Sequence, residues 1–316
     1  MKGVASIRSK CNSITLPTRS KRPTVGSHCV TNNIDEASWI VIGVCDDRGV
    51  KNNLGRIGAK QGPEAFRKMF YTQSLGHTSP KEKSIYDVGN LKLTKNILTT
   101  HEKLREIVDQ IKSQDEKKKI LVIGGGHDIA YGEIAGCIKR DQKIIRNHII
   151  NIDAHSDVRP YEKNKTITSG TPFYRLITEA GIRGEHYHPF GLQKPSNNNA
   201  LVAWMLEHKV DIHWLEDMPS NEAQMKKFHE LLQQMKFRKW HLNIDLDAFD
   251  VAHAPGVSAQ AIFGVSPNLF LNLANYKSIF ESIETLGIYE LAPKYDIDGR
   301  TAKLAAKLAY QVMSIC

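Results

Sequence analysis

Short apolar runs alternate with longer amphipathic stretches along most of the chain. Each run is rich in β-branched residues and ends in a polar or glycine-rich turn, which is typical of buried strands. The predicted strands are Trp39–Val44, Lys119–Ile123, His148–Asp153, Tyr187–Leu192, Val210–Leu215, Trp240–Asp245 and Leu286–Glu290. The clearest predicted helices are Leu98–Lys112, Asn221–Phe237, Pro267–Thr285 and Thr301–Ile315. Strands that alternate with helices in this way predict a parallel sheet covered by helices on both faces.

The first 36 residues lack this pattern. They are rich in Ser, Thr, Asn and Pro, and they carry six basic side chains before the first acidic one, Asp35. Residues 1–36 are therefore predicted to form a flexible basic N-terminal arm, with an organelle presequence of the same composition as the alternative. Residues 37–316 contain no Gly/Ser-rich linker or internal repeat, so they are predicted to form a single domain.

Composition narrows the class of protein. The chain of 316 residues has a net charge of +9, but residues 1–34 carry +6 of it, so the rest of the chain is close to neutral at +3. We therefore expect no nucleic-acid partner, and no apolar run is long enough to predict a membrane partner. The five cysteines are widely spread without a CxxC pair, which favours a reducing, cytoplasmic location over a disulfide framework or a thiolate zinc site.

Three predicted strands end in an unusual density of carboxylate and imidazole groups. The motifs are Gly-Gly-Gly-His-Asp at 124–128, Asn-Ile-Asp-Ala-His-Ser-Asp at 151–157 and Asn-Ile-Asp-Leu-Asp-Ala-Phe-Asp at 243–250. Alternate residues of an extended chain point the same way, so Asp153, His155 and Asp157 can aim three ligands at one spot. Asp245 and Asp247 can do the same from another strand. In parallel sheets, ligands bind at the carboxyl ends of the strands, so these groups are expected to meet.

The charge of this group predicts a binuclear metal site. Four aspartates crowded in a partly dry cleft repel one another, and two divalent cations would cancel their charge. Oxygen and imidazole ligands without thiolates favour Mn2+, with Fe2+, Co2+ and catalytic Zn2+ as alternatives. Two such ions about 3.5–4 Å apart can share one water and lower its pKa, which is a design for hydrolysis.

These motifs resemble the three metal motifs of the ureohydrolase superfamily, which comprises arginases, agmatinases and formimidoylglutamases. Further similar stretches are Asn53–Ala59, Gly62–Arg67, Asp87–Asn90, Ala254–Ala259 and Tyr289–Pro293. The resemblance implies an arginase-like three-layer α/β/α sandwich with a mainly parallel sheet of about eight strands. It also implies that residues 37–316 are an arginase-fold catalytic domain and that the protein is a homo-oligomer.

Carried over position by position, the resemblance implies two Mn2+ ions per subunit. The residues that would bind them are His127, Asp153, His155, Asp157, Asp245 and Asp247. Of these, Asp153 and Asp245 would bridge the two ions. Asp157 would also act in catalysis, by orienting the attacking hydroxide and passing its proton to the leaving amine. Glu290 would pair with the cationic nitrogen of the substrate.

One loop narrows the choice of substrate. Arginases and agmatinases usually have a His before a Gly-Thr-Pro-Phe sequence, but this chain has Ser169 there. The sequence Ser-Gly-Thr-Pro-Phe resembles formimidoylglutamases, which hydrolyse N-formimidoyl-L-glutamate to L-glutamate and formamide in histidine degradation. An agmatinase-like or other guanidino-acid ureohydrolase is the alternative, and a catalytically silent member that acts through protein interactions is a third reading.

A small dicarboxylate amidine needs cations in its pocket. Arginine holds carboxylates with a bidentate fork, so Arg159 and Arg175 are the predicted substrate contacts, with Ser169 as a third substrate-binding residue. Asn53 and Asn164 are weaker candidates. Four other histidines lie in or beside apolar runs and are expected to be packed or edge-exposed rather than ligands. They are His186, His188, His213 and His241.

Overall fold

The computed structural model describes residues 2–17, 22–138, 147–161 and 163–316. The strands among them are β1 (Cys11–Asn12), β2 (Trp39–Gly43), β3 (Ile85–Leu91), β4 (Lys119–Ile123), β5 (Asn147–Ile152), β6 (Tyr187–Leu192), β7 (His213–Trp214), β8 (Lys239–Asp245) and β9 (Ile283–Tyr289). The helices are α1 (Lys2–Ser9), α2 (Arg48–Asn52), α3 (Gly62–Phe70), α4 (Ile97–Gln114), α5 (Ala130–Ile138), α6 (Pro172–Thr178), α7 (Asn199–Glu207), α8 (Asn221–Gln234), α9 (Lys277–Phe280) and α10 (Arg300–Met313).

The strands form one sheet in the order β1-β3-β2-β4-β9-β8-β5-β6-β7. All neighbouring strands are parallel except β1, which runs antiparallel to β3. The predicted mainly parallel sheet is therefore confirmed, with nine strands in the described residues rather than about eight. Each predicted strand overlaps an observed one, although β7 is much shorter than the predicted run.

Both faces of the sheet are covered by helices. Because its strands are buried on both faces, their sequences are continuous apolar runs. Alternate residues of β2 enter opposite layers, so Trp39 and Val41 pack with α3, α8 and α10, whereas Ile40 and Ile42 pack with α4. A third cluster joins α5, α6 and α7 to β5 and β6. These contacts form the three-layer α/β/α sandwich that the resemblance implied.

Two elements differ from the sequence prediction. Strand β3 was missed because its sequence includes Asp87 and Asn90, polar residues whose side chains bind the buried guanidinium of Arg67. The predicted helix Pro267–Thr285 is wrong, since two short 3-10 turns and α9 occupy most of it and β9 begins at Ile283. Most of its apolar residues, among them Leu269, Leu273 and Ile279, are buried against the core, so their helix-like spacing reflects burial and not a helical backbone.

The first 36 residues also differ from the expected flexible arm. Where the structure describes them, they pack on the domain: α1 contacts α4, and β1 extends the sheet beside β3. Ile7, Val25 and Cys29 are fully buried there. These apolar residues are too widely spaced to show a period, so only long-range packing reveals that they belong to the core. The basic residues Arg19 and Lys21 lie outside the described residues.

Two further observations concern membrane-spanning helices and the state of the cysteines. None of the helices in the described part of the chain is long and apolar enough to cross a membrane. All five cysteines are free thiols, three of them buried.

Candidate metal centre

The carboxyl ends of four adjacent central strands meet at one edge of the sheet. In spatial order these strands are β4, β9, β8 and β5. The strand that follows β4 in sequence, β5, therefore lies three positions away from it in the sheet. Such a reversal of strand order opens a crevice outside the strand ends. The sequence motifs predicted to carry ligands follow β4, β5 and β8, and Glu290 follows β9. The fold therefore brings the predicted residues to one place.

The three glycines after β4 allow its loop to pass through a crowded space. A Cβ atom on Gly124 would lie 2.2 Å from the Tyr289 ring, and one on Gly125 would lie 2.0 Å from the carbonyl oxygen of Asp46. Because no side chain fits there, the loop can approach β9 closely and set His127 on the ring of Tyr289, with centroids 4.9 Å apart. The glycines thus position the imidazole at the crevice.

Four side chains converge on one point at the base of the crevice. His127 Nδ1 lies 3.2 Å from Asp153 Oδ2, 3.1 Å from Asp157 Oδ2 and 3.1 Å from Asp245 Oδ2. None of these oxygens lies where the ring nitrogen could make a hydrogen bond, although both nitrogens of His127 are buried. Donor atoms that surround a point without bonding one another have the arrangement of metal ligands.

A second group of ligand atoms lies beside the first. His155 Nδ1 is 3.3 Å from Asp247 Oδ2 and 3.6 Å from Asp153 Oδ1. Asp153 belongs to both groups, whereas Asp245 belongs to the first. The loops after β5 and β8 make the same turn: Asp153 Oδ1 accepts from the His155 N–H, and Asp245 Oδ1 accepts from the Asp247 N–H. The i, i+2 spacing in the sequence is therefore the spacing of this turn.

The pKa values of the cluster reflect the crowding of its carboxylates. Burial, followed by the charge of Asp153, raises the pKa of Asp157 to about 6. Burial and the charge of Asp245 raise the pKa of Asp247 well above its ordinary value. Burial lowers the pKa of His127, but the surrounding carboxylates outweigh burial and raise it strongly. The raised pKa values of Asp157 and Asp247 show that charge on these carboxylates is opposed by burial and by their neighbours. Bound cations would offset this repulsion, and the oxygen–nitrogen donor set suits hard divalent ions.

A cavity of about 220 Å³ opens above the cluster. Asp157, Arg159, Ser169 and Glu290 all line it. Glu290 Oε1 accepts the His127 N–H at 3.1 Å, and its Oε2 is buried with no hydrogen-bond partner among the described residues. Ser169 Oγ accepts from Asn53 Nδ2 at 3.0 Å. The cavity therefore has an acidic floor, with hydroxyl, amide and guanidinium groups on its walls.

The two residues predicted to act in catalysis share an unusual backbone conformation. Asp157 has φ of 47° and Glu290 has φ of 65°. Residues other than glycine adopt the left-handed region at an energetic cost, and such strain concentrates at functional sites. Asp157 lies in the loop after β5, and Glu290 directly follows β9. In both residues the side chain lines the cavity.

Arg175 does not lie where the sequence predicted. It is fully buried in α6 and does not line the cavity. Its guanidinium carbon lies 3.5 Å from the ring centre of Tyr131, and Nη1 is 2.9 Å from His101 Nδ1. Since arginine only donates, His101 carries its proton on Nε2 and donates it to Asp128 Oδ2 at 2.8 Å. Arg175 thus supports the loop that holds His127 rather than the substrate.

This placement predicts a structural role for Arg175. Replacing it with Ala is expected to lower the free energy of unfolding by about 1–3 kcal/mol, because it leaves the buried Nδ1 of His101 without its donor. Chemical denaturation measures this change. Arg105→Ala is the matched control, since its 3.0 Å pair with Glu102 is solvent-exposed and its loss should cost about 1 kcal/mol or less. A stable Arg175→Ala variant with only a raised KM would return Arg175 to the substrate pocket.

Asn197 is a site residue that the sequence did not reveal. It follows β6 and lines the cavity. Its Oδ1 accepts the Ser156 N–H at 2.8 Å, and its Nδ2 donates to the Ala154 carbonyl at 3.0 Å. These bonds fix the loop after β5 that carries Asp153, His155 and Asp157. The only signal was its position after a predicted strand, which many loop residues share.

A two-cation crevice at the carboxyl edge of a parallel α/β/α sheet is the architecture of binuclear hydrolases, and known proteins agree. Residues 37–314 match the model of the arginase family. Formimidoylglutamase from Macrococcus caseolyticus is 36% identical over 276 residues, which are 85% of this chain and 82% of that protein. Formimidoylglutamase from Fusobacterium nucleatum is 33% identical over 274 residues, 84% of this chain and 83% of that protein. The chain therefore belongs to the arginase family.

A solved structure supports the fold. Formiminoglutamase from Trypanosoma cruzi, crystallised with Mn2+, superposes with a TM-score of 0.81 at 24% sequence identity. The match covers 93% of this chain and 98% of that one. At this identity the likeness establishes the shared fold.

Proposed function

We propose that the protein is a Mn2+-dependent formimidoylglutamase, which hydrolyses N-formimidoyl-L-glutamate to L-glutamate and formamide in histidine degradation. The observation that carries the proposal is a single cavity with an acidic His/Asp cluster at its floor and the guanidinium of Arg159 on its wall. A cationic amidine that also has two carboxylates has complementary charges. Family membership and the relatives at 31–36% identity support the same assignment.

The donor set at the cavity floor fits two divalent cations. The proposed ligands of the first are His127, Asp153, Asp157 and Asp245. The proposed ligands of the second are Asp153, His155, Asp245 and Asp247. Buried donor atoms without partners, among them His127 Nδ1 and Asp247 Oδ1, support this fit. When bound, Mn2+ ions supply Lewis-acid chemistry and lower the pKa of water.

The chain's own residues bind and orient the substrate. Glu290 Oε2 is free to accept from a cationic amidine nitrogen, while its Oε1 remains bonded to the His127 N–H. We propose that Asp157 receives a proton from water and passes it to the departing nitrogen, because its carboxylate lines the cavity beside the cluster.

Arg159 is proposed to hold a substrate carboxylate. It lines the cavity, and its side chain makes no hydrogen bond or ion pair with any residue that the structure describes. Ser169, fixed by Asn53, offers a hydroxyl nearby at the position where a His would mark arginases and agmatinases. Agmatine has no carboxylate and would leave this guanidinium without a function.

A parallel assay tests the proposal. Mn2+-loaded protein is offered N-formimidoyl-L-glutamate, L-arginine and agmatine at equal concentrations, and formamide and urea are quantified separately. We expect glutamate and formamide from the first substrate alone, because only that substrate has two carboxylates beside a formimidoyl group. Urea from either guanidine would instead favour a guanidino ureohydrolase. No turnover of any substrate by protein that binds Mn2+ would favour a catalytically silent member.

The domain organisation, the location and the oligomeric state of the enzyme are proposed on other observations. We propose that residues 37–316 are the catalytic domain and that the enzyme works in the cytoplasm, where its five free thiols remain reduced. Homo-oligomerisation is a prediction that rests on the family alone, and light scattering of the purified protein measures it.

A further inference from the structure

Four buried histidines cluster at the edge of the sheet opposite the cavity. They are His148 at the start of β5, His186 and His188 at the start of β6, and His213 at the start of β7. Asp211, whose side chain is 41% exposed, opens the cluster to solvent. The proposed function uses none of these residues, since it acts at the carboxyl ends of the strands. Buried imidazoles beside one accessible carboxylate are groups that can bind a metal ion.

Three of these side chains have the geometry of a metal site. His188 Nδ1 lies 2.8 Å from Asp211 Oδ2, and His213 Nε2 lies 3.1 Å from the same oxygen. The three ligand atoms lie within 4.8 Å of one another. Two imidazoles and one carboxylate are a common ligand set for transition metals, with a water molecule in the fourth position. The exposed side of Asp211 leaves room for that water.

The hydrogen bonds define the metal-free state. Arg238 Nη1 donates to His148 Nε2, because a guanidinium cannot accept. His148 must then carry its proton on Nδ1, and it donates that proton to His188 Nε2 at 2.9 Å. His188 in turn donates from Nδ1 to Asp211. The chain of donors from Arg238 to Asp211 therefore fixes both imidazoles in one tautomer.

Metal binding requires the opposite tautomers. A metal on His188 Nδ1 takes the place of that proton, so His188 carries its proton on Nε2 and donates it to His148 Nδ1. His148 then carries its own proton on Nε2, which faces the donor Nη1 of Arg238. Two donors cannot share that contact. The ion and the Arg238–His148 bond therefore exclude each other, and the exposed Arg238 side chain is free to turn into solvent.

We propose that His188, Asp211 and His213 form a mononuclear site for a borderline transition-metal ion such as Zn2+, and that binding releases Arg238 from His148. The site is distinct from the carboxylate-rich catalytic centre because two of its three ligands are imidazoles, which favour Zn2+ over Mn2+. The ion would tie β6 to β7, a two-residue edge strand whose pairing with β6 is irregular. The proposal does not depend on the substrate of the enzyme.

Counting bound Zn2+ tests the site in the full-length protein. Wild type and variants are dialysed against the same free Zn2+ concentration, and the zinc per chain is measured by elemental analysis. We expect three ions in wild type and two in His213→Ala. His253→Ala is the matched control and should keep three, because the exposed pair of His253 with Asp250 has no second imidazole. Equal zinc content in wild type and a folded His213→Ala variant would overturn the proposal.

Arg238→Ala provides a second test that does not disturb the core. Removing the competing donor and its positive charge should tighten Zn2+ binding at this site by about 10-fold, the order of effect that partners of metal ligands produce. Competition with a chelator of known affinity measures the change. Unchanged or weaker binding in Arg238→Ala would contradict the mutual exclusion, even if His213→Ala had folded poorly.

Discussion

Replacing Asp245 with Asn is expected to lower kcat by at least about 10³-fold, more than the roughly 10–100-fold that residues behind a metal ligand cost. The side chain keeps its shape, so its oxygen can still accept the Asp247 N–H that forms the turn after β8. What the variant loses is a negative charge at the point where three aspartates surround His127. Steady-state turnover in saturating Mn2+ measures the effect.

Thermal unfolding separates this loss of charge from a loss of structure. Without metal, Asp245→Asn should be at least as stable as wild type, because it relieves repulsion among buried carboxylates. With Mn2+, wild type should gain stability as an ion binds only the folded state, and the variant should gain less. Full turnover by Asp245→Asn, or an equal gain in Tm with Mn2+, would contradict the binuclear centre.

Replacing Arg159 with Ala is expected to lower kcat/KM for the dicarboxylate amidine by about 10- to 100-fold, or about 1.4–2.8 kcal/mol. The side chain has no partner among the described residues, so the loss would come from the substrate rather than from the fold. Arg159→Lys should recover only part of the activity, because an ammonium group keeps the charge but loses the planar fork. Kinetics on the three proteins measure the series.

A substrate analogue tests whether Arg159 contacts a carboxylate of the substrate. An amidine in which one carboxylate is replaced by a carboxamide should bind wild type more weakly than the dicarboxylate does. Its binding should be weakened little further by the Arg159→Ala substitution. Equal losses for both substrates would show that Arg159 acts on the fold or the floor of the cavity. Together with Arg175→Ala, which should lose stability, this series distinguishes the exposed arginine from the buried one.

The residues of the His/Asp cluster could be predicted to meet because their signal is local. In a parallel α/β fold the carboxyl ends of strands face one edge, so an apolar run followed by Asp153, His155 and Asp157 already places these side chains near those of Asp245. The i, i+2 spacing needs no knowledge of distant residues. Apolar runs buried on both faces likewise predict the strands of the central sheet, and their alternation with helices predicts the layers.

The two arginines show where local reasoning ends. Arg159 and Arg175 both follow a predicted ligand or substrate loop, and the sequence gives them the same chemistry. Packing separates them, since α6 turns Arg175 onto Tyr131 and His101, whereas Arg159 stays at the cavity. The His188–Asp211–His213 group is a similar case, because it joins β6 to β7 and the residue pair before it, and the sequence does not reveal that these two strands are neighbours in the sheet.

The sequence by itself determined most strands of the sheet, its layers and the strand ends that carry the His/Asp cluster, because each depends on residues that are neighbours along the chain. Only the tertiary structure decided which arginine faces the cavity, that Ile7 and Cys29 belong to the core, and that β9 and β8 lie between β4 and β5. The reason is physical: burial and partners at those positions are set by contacts between residues far apart in sequence, and such contacts leave no periodic trace in the chain.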